Sequence, residues 1–196
     1  MLEKDIKPLN VAIVRFPGSN CDFDTLRFFQ RRGHKAEFLW HKETEIPKAD
    51  LLVLPGGFAF GDRVYERATH SYSLDPGAQA LKSPVMETVY RWDSDGKPIL
   101  GICNGFQILV HAAILPGSLF ANKQEKFICD DINVRVEGKS FFGEQSMLGN
   151  VYKINVAHGF GRYVVQQDLY DEMNQEGQIF LRYYGVNPNG SYEDIA

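Results

Sequence analysis

The sequence predicts an α/β fold, a mostly parallel sheet flanked by helices with an antiparallel extension, and three features carry that expectation. The early strand candidates are unbroken apolar runs rather than alternating ones, as strands buried on both faces must be. Segments of helical periodicity separate them, which is the alternation of a parallel sheet. From Gly117 onward the pattern turns to period two, which suits antiparallel strands.

After a polar lead-in from Met1 to Lys7, Val11-Ala12-Ile13-Val14 is a short β-branched run closed by Phe16-Pro17-Gly18-Ser19-Asn20, a strand running into a turn. Phe23, Leu26 and Phe29 then recur at helical spacing, with Ser19 or Asn20 available as N-cap and Gly33 as the stop. Ala36 to Trp40 and Leu51 to Leu54 are two further buried strands, both expected to be parallel, separated by the polar stretch His41 to Asp50 with its Pro47. Ser83-Pro84 offers a cap followed by a proline at the first helical position. Val85, Val89 and Trp92 give that helix an apolar stripe, which Asp95-Gly96 ends. A strand from Pro98 to Ile102 follows. Further on, Ile132 to Val136, Val151 to Val156 and Gln178 to Tyr184 are the period-two segments. A short helix around Asp168 to Gln175 interrupts them, and Asn187-Pro188-Asn189-Gly190-Ser191 is a strong turn.

A chain of 196 residues supports one substantial core, and a single domain over residues 1–196 is expected. Hydrophobic residues at 44% and charged residues at 23% exclude a disordered or fibrous chain. The net charge of −4, with Lys and Arg scattered, leaves no footprint for nucleic acid or an anionic membrane surface. The longest apolar runs, such as Ile108 to Pro116, fall short of a membrane span, and nothing marks export. Three cysteines at wide spacing fit neither a disulfide framework nor a zinc site, so no metal is expected and a reducing cytoplasm is the expected compartment.

The chemistry concentrates at Pro98-Ile99-Leu100-Gly101-Ile102-Cys103-Asn104-Gly105-Phe106-Gln107, which reads as a buried strand turning sharply into a helix with a cysteine at the turn. Gly101 and Gly105 stand two positions either side of Cys103, the thiol counterpart of the Gly-x-Ser-x-Gly nucleophile elbow. At a helix start, Cys103 would face unpaired N–H groups and the positive end of the helix dipole, both of which favour negative charge on sulfur. Leu54-Pro55-Gly56-Gly57-Phe58 follows the third strand and should reach the same carboxyl edge of the sheet. An oxyanion hole would then combine the N–H of Asn104 with that of Gly57. Gln107, one turn beyond Cys103, is a candidate for contact with a bound substrate amide.

Cys21, in Ser-Asn-Cys-Asp, also stands at a helix start with a pKa open to lowering, though a structural role is expected for it and for the strand residue Cys129. Asp22 and Asp24 are read as charges that compensate the helix dipole. His111 lies eight residues beyond Cys103, about 12 Å along a helix axis and outside hydrogen-bond reach. His34, His41 and His70 are expected at the surface. His158, in a loop after a strand, stands between contact with substrate or partner and a structural hydrogen bond.

These segments, together with Pro17-Gly18-Ser19-Asn20-Cys21-Asp22, Leu54-Pro55-Gly56-Gly57-Phe58-Ala59-Phe60-Gly61-Asp62, Ser83-Pro84-Val85-Met86, Ala157-His158-Gly159 and Asn187-Pro188-Asn189-Gly190-Ser191, closely resemble the glutaminase components of phosphoribosylformylglycinamidine synthase. That family belongs to the class I glutamine amidotransferases, and the resemblance runs nearly end to end. It implies the flavodoxin-like fold of that class. It also implies that Cys103 attacks the side-chain amide of glutamine, releasing ammonia and leaving a glutamyl thioester for water to hydrolyse. Ammonia would pass to a large ATP-dependent synthetase subunit, which makes formylglycinamidine ribonucleotide in purine biosynthesis. A further small subunit is allowed for. ATP and magnesium are expected on that partner, with no cofactor in this chain.

Two departures from the family pattern matter. The family usually has Ala-His-Gly-Glu-Gly where this sequence has Phe160 in place of the glutamate. It also places a catalytic His and Glu in a Pro-His-Pro-Glu segment after the Asn-Pro-Asn-Gly-Ser turn, and the sequence through Ala196 contains neither. The expectation is therefore that these residues lack the C-terminal segment and alone turn over glutamine about 10²–10⁴-fold more slowly than a version carrying it. Two rival readings are a catalytically incomplete binding or regulatory module of the same complex, and another cysteine hydrolase of similar fold.

Overall fold

A computed structural model describes residues 7–46, 48–60, 79–138, 140 and 145–196. Residues 1–6 of the lead-in, Pro47, Gly61, Asp62 and the Tyr65–Gly77 loop with His70 lie outside the described residues. The chain divides into two compact units, Met1–Leu115 and Pro116–Ala196.

In the first unit, β1 (Asn10–Arg15), α1 (Asp22–Arg31), β2 (Lys35–Trp40), β3 (Leu51–Leu54), α2 (Val85–Ser94), β4 (Ile99–Gly101) and α3 (Asn104–His111) follow one another, with a short 3-10 turn at Ala80–Lys82 before α2. The four strands form a parallel sheet of order β2-β1-β3-β4. Alternation along the central strands supplies both faces. Val11, Ile13, Leu51 and Val53 turn one way and pack with Phe29 and Leu26 of α1. Ala12, Val14, Leu52 and Leu54 turn the other way, onto Val85, Met86, Val89 and Trp92 of α2 and Ile108 and Leu109 of α3. At about 1.5–3 kcal/mol for each large aliphatic side chain removed from water, these two apolar layers are the main source of the unit's stability. Unbroken apolar runs are the sequence trace of a strand buried on both sides.

Local chemistry shifts some expected details. The N-cap of α1 is Cys21 rather than Ser19 or Asn20. Ser19 Oγ instead accepts the Phe16 N–H at 3.1 Å and holds the preceding turn. Gly33, at φ +81, ends α1 as expected, with the His34 N–H returning to the Phe29 carbonyl. Pro84 already has helical angles, and Ser83 Oγ lies 3.3 Å from His41 Nδ1. His41 is therefore not a surface residue. It is buried among Phe16, Trp40 and Phe60, and burial followed by the neighbouring Lys42 charge lowers its pKa. His34 is half-buried, its Nδ1 accepting the Leu9 N–H.

The second unit contains β5 (Ser118–Phe120), β6 (Ile128–Val136), β7 (Val151–His158), β8 (Arg162–Val164), α4 (Gln167–Gln175) and β9 (Leu181–Tyr183). β5 pairs with β8, and the other three form an antiparallel sheet of order β7-β6-β9. Ile132, Val134 and Val156 are its apolar centre. Two buried asparagines tie its loops together. Asn122 Nδ2 donates to the carbonyls of Lys126 (2.8 Å) and His158 (2.9 Å), while its Oδ1 accepts the Gly161 N–H at 3.0 Å and lies 3.1 Å from His158 Nδ1. An acceptor oxygen at that distance requires the proton on Nδ1. Asn189 Nδ2 donates to the Gly161 carbonyl and to the Tyr183 hydroxyl. Asn187 Oδ1 accepts the Gly190 and Ser191 N–H groups, which is how the Asn-Pro-Asn-Gly-Ser segment makes its turn.

Two predictions follow from this packing. A β-carbon on Gly105 would lie 1.9 Å from the Leu54 carbonyl oxygen, a backbone atom that cannot swing away, whereas one on Gly33 would meet nothing within 4 Å. Gly105→Ala should lower the denaturation midpoint well beyond Gly33→Ala, an overpacking cost of about 1–3 kcal/mol or more against about 1–2 kcal/mol for the left-handed backbone alone. Burial lowers the pKa of His158, so below its unfolded value of about 6.5 the unfolded chain takes up a proton that the fold refuses. Stability should fall on acidification from pH 7.5 to 5.5. Urea midpoints at the two pH values should shift less in His158→Gln than in the parent, because the His158 contribution is gone, and the shift that remains belongs to His41.

Candidate active site

In a parallel sheet ordered β2-β1-β3-β4, the chain leaves β1 and β3 in opposite directions, and the crevice at their carboxyl ends is the usual ligand position. The segments that meet at that edge are Phe16 to Cys21 after β1, Pro55 to Phe58 after β3, and Ile102-Cys103 after β4. Backbone hydrogen bonds join the first two: Phe58 N–H donates to the Gly18 carbonyl and Cys21 N–H to the Gly56 carbonyl, at 2.8 and 3.2 Å.

Cys103 occupies the N-cap of α3 at φ +52 and ψ −111, a region that a residue with a β-carbon rarely enters. Such a conformation costs on the order of 1–3 kcal/mol and persists only where its surroundings enforce it. They do so from three sides. The Ile102 N–H donates to the Leu54 carbonyl at 3.0 Å, holding the strand end. Gly105 N–H donates to the Ile102 carbonyl at 2.8 Å and closes the turn. A side chain at Gly101 would strike Leu109 and the Gly105 backbone, and one at Gly105 would strike Leu54. The flanking glycines thus let α3 lie against β3, and Cys103 is left exposed at the turn.

Asn104 is 2% exposed and works through its side chain as well as its backbone. Its Oδ1 accepts the Ala59 N–H at 3.1 Å, and its Nδ2 donates to Gln107 Oε1 at 3.0 Å. One carboxamide therefore links the elbow to the loop after β3 and orients Gln107, a link that no spacing pattern signals. Gly57, at φ +140, packs so closely on Gly18, Ser19 and Asn20 that a β-carbon would lie 2.4 Å from the Asn20 nitrogen. Among the described residues, neither the Gly57 nor the Asn104 backbone N–H has a hydrogen-bond acceptor. Cys103, Asn104, Gly57 and Gln107 all belong to the first unit.

The remaining candidates fall elsewhere. Cys21 sits at the start of α1, but its pKa is raised rather than lowered. Burial is the main cause, followed by Cys103, Asp24 and Asp22, so the helix N-terminus is outweighed. Asp22 also pairs with Arg15 at 2.5 Å. His158 is the last residue of β7 in the second unit, and its ring is engaged by Asn122. His111 closes α3 at the opposite end from Cys103. Cys129 is an exposed residue of β6. Among the described residues, no cluster of His, Cys, Asp and Glu is fit to hold a metal, and no helix is long and apolar enough to cross a membrane.

Comparison with known proteins follows the same lines. Residues 8–196 match the family model described as the CobB/CobQ-like glutamine amidotransferase domain. The phosphoribosylformylglycinamidine synthase subunit PurQ of Thermus thermophilus is 43% identical over 192 residues, covering 94% of this chain and 80% of its own. The Aquifex aeolicus PurQ subunit is 40% identical over 198 residues, covering 96% and 83%. Among solved structures, PurLQS from Thermotoga maritima superposes with a TM-score of 0.78 at 34% identity, over 97% of this chain and 81% of that one. At this identity over nearly its whole length, the chain belongs to the PurQ family of phosphoribosylformylglycinamidine synthase subunits.

Proposed function

We propose that this chain is the glutaminase subunit of a phosphoribosylformylglycinamidine synthase, hydrolysing glutamine through a thioester on Cys103 and supplying ammonia to a large synthetase partner. The observation that carries the reading is the strained turn at Cys103, which exposes a thiol at a helix start beside the Leu54–Gly57 loop. The relatives named above are subunits of that synthase, and the solved assembly is titled PurLQS, which supports a complex with a large subunit and leaves the other-hydrolase reading without support.

In this mechanism the Cys103 sulfur attacks the carbonyl carbon of the glutamine side chain. The oxygen of the tetrahedral intermediate takes negative charge, and the Asn104 and Gly57 N–H groups donate to it. Both donors are fixed before reaction by the backbone itself, so no reorganisation is needed as charge develops. Gln107, held by Asn104 Nδ2, stands one helical turn away, where it orients the substrate amide. The proton lost by the Cys103 thiol goes to the departing amide nitrogen, so that ammonia leaves, and water then hydrolyses the thioester to glutamate and the free thiol. ATP and magnesium are assigned to the synthetase partner, and a cytoplasmic location accords with a biosynthetic subunit whose substrates are soluble metabolites.

A glutamine analogue bearing an electrophilic ketone should label Cys103 rapidly and leave Cys21 and Cys129 unlabelled, as read by peptide mapping. Labelling of Cys21 or Cys129 with Cys103 untouched would remove the proposed nucleophile. Cys103→Ser in the assembled synthase should abolish glutamine-dependent turnover while added ammonia still supports the synthetase reaction. A third outcome is expected from Asn104→Ala. It strips the buried Ala59 N–H of its acceptor, at about 1–3 kcal/mol of stability, and frees the elbow from the loop. Misplacing the reacting groups on an ångström scale should lower kcat about 10²-fold, measured on protein that still melts cooperatively.

A further inference from the structure

We propose that Cys21 is a resolving thiol for Cys103: when a hydroperoxide oxidises Cys103, Cys21 captures the oxidised sulfur as a disulfide across Gly56. The proposal rests on the reading of Cys103 as an exposed nucleophile and adds to that site a reversible modification.

Three observations carry it. A β-carbon built on Gly56 would lie 3.3 Å from Cys103 Cβ and 3.6 Å from Cys21 Sγ, so the two side chains flank the one residue that has none. Gly56 is thereby the spacer between two cysteines more than eighty positions apart in sequence, each at the N-cap of its own helix. The Cys21 backbone is fixed to that spacer by its N–H bond to the Gly56 carbonyl. Since both atoms lie against the one point above Gly56, Cys103 Cβ and Cys21 Sγ are less than about 7 Å apart, and side-chain rotation with a small backbone shift would bring the β-carbons to the roughly 3.5–4.5 Å of a disulfide. Both cysteines are also open to solvent, so a small oxidant has access.

The chemistry balances without a further reactant. The Cys103 sulfur attacks one oxygen of the hydroperoxide, the O–O bond breaks, and an alcohol leaves with a proton, giving a sulfenic acid. Cys21 sulfur then attacks Cys103 sulfur, the S–O bond breaks, and the departing hydroxide takes the Cys21 proton as water. Two thiols are oxidised by two electrons, and one hydroperoxide is reduced to alcohol and water. Burial and the charges around it raise the Cys21 pKa, which disfavours its direct reaction with the peroxide, so that its part in the second step comes from its position beside Cys103. Without Cys21 the sulfenic acid would react with a second hydroperoxide to give sulfinic acid and another alcohol, and thiols do not reverse that step.

The test treats the full chain with a several-fold excess of hydrogen peroxide and maps peptides without reduction. A linked pair containing Cys21 and Cys103, two hydrogens lighter than the separate peptides, is expected. Glutaminase activity should be lost and then restored by dithiothreitol. In Cys21→Ser the loss should persist after dithiothreitol, with Cys103 recovered as sulfinic acid. Gly56→Ala, which places a methyl group between the two side chains, should suppress the linked pair. Peroxide-treated protein with no linked pair, a pair made instead through Cys129, or full recovery of Cys21→Ser would overturn the proposal. The mapping needs no turnover, so a linked pair in a protein that never hydrolyses glutamine would refute the glutaminase reading and leave the pairing intact.

Discussion

The contact on which the site depends is the approach of the first turn of α3 to the end of β3, where Gly105 meets the Leu54 carbonyl. That proximity fixes how sharply the chain must turn after β4, and the sharpness forces Cys103 to φ +52. The strained angle is thus a consequence of layer packing rather than an isolated feature. The apolar layer shared by Leu52, Leu54, Ile108 and Leu109 presses the helix down. The Ile102-to-Leu54 hydrogen bond keeps the strands in register while it does so. Energy stored in one residue's backbone is offset by burial spread over many.

The parallel sheet and the elbow were legible because each leaves a local mark. A strand covered on both faces must be apolar without alternation, as Val11 to Val14 and Leu51 to Leu54 are, and a turn too tight for β-carbons must place glycines beside its centre. What was hidden depends on contacts between distant residues. His41 gives no local sign of burial, because its environment is made by Phe16, Phe60 and Ser83 arriving from elsewhere. β5 and β8 span three residues each, too short for period two to register. β9 is likewise shorter than the Gln178–Tyr184 pattern, since the chain before it, near Gly138, pairs through single hydrogen bonds to the Phe180 carbonyl rather than a ladder.

The candidate site divides the same way. The positions of Cys103 and Gly57 follow from spacing, since each is tied to the end of a strand. The carboxamide of Asn104 bridging Ala59 and Gln107 does not, because a buried asparagine is recognised by its partners and not by its neighbours in sequence. Cys21 shows the opposite error of local reading. A helix start alone suggests an acidic thiol, but burial and the nearby Asp22, Asp24 and Cys103 reverse the sign. The second unit adds a case where polar groups replace apolar ones as organisers. Asn122 and Asn189, each nearly inaccessible, satisfy backbone carbonyls at the end of β7 and in the loop that follows it.

β4 is a three-residue strand at the outer end of the described sheet order, and it is the strand that delivers the nucleophile. A pairing this short can open at a free energy below that of global unfolding, since few bonds must break to release it. Relaxing β4 would let Cys103 return to an ordinary backbone angle and dissolve the turn while β1 and β3 stayed paired. The reactive state therefore depends on a pairing of only three residues, Ile99–Gly101, with β3. An activity-versus-temperature curve for this subunit consequently reports the integrity of that one short pairing, whereas a melting curve reports the sheet as a whole.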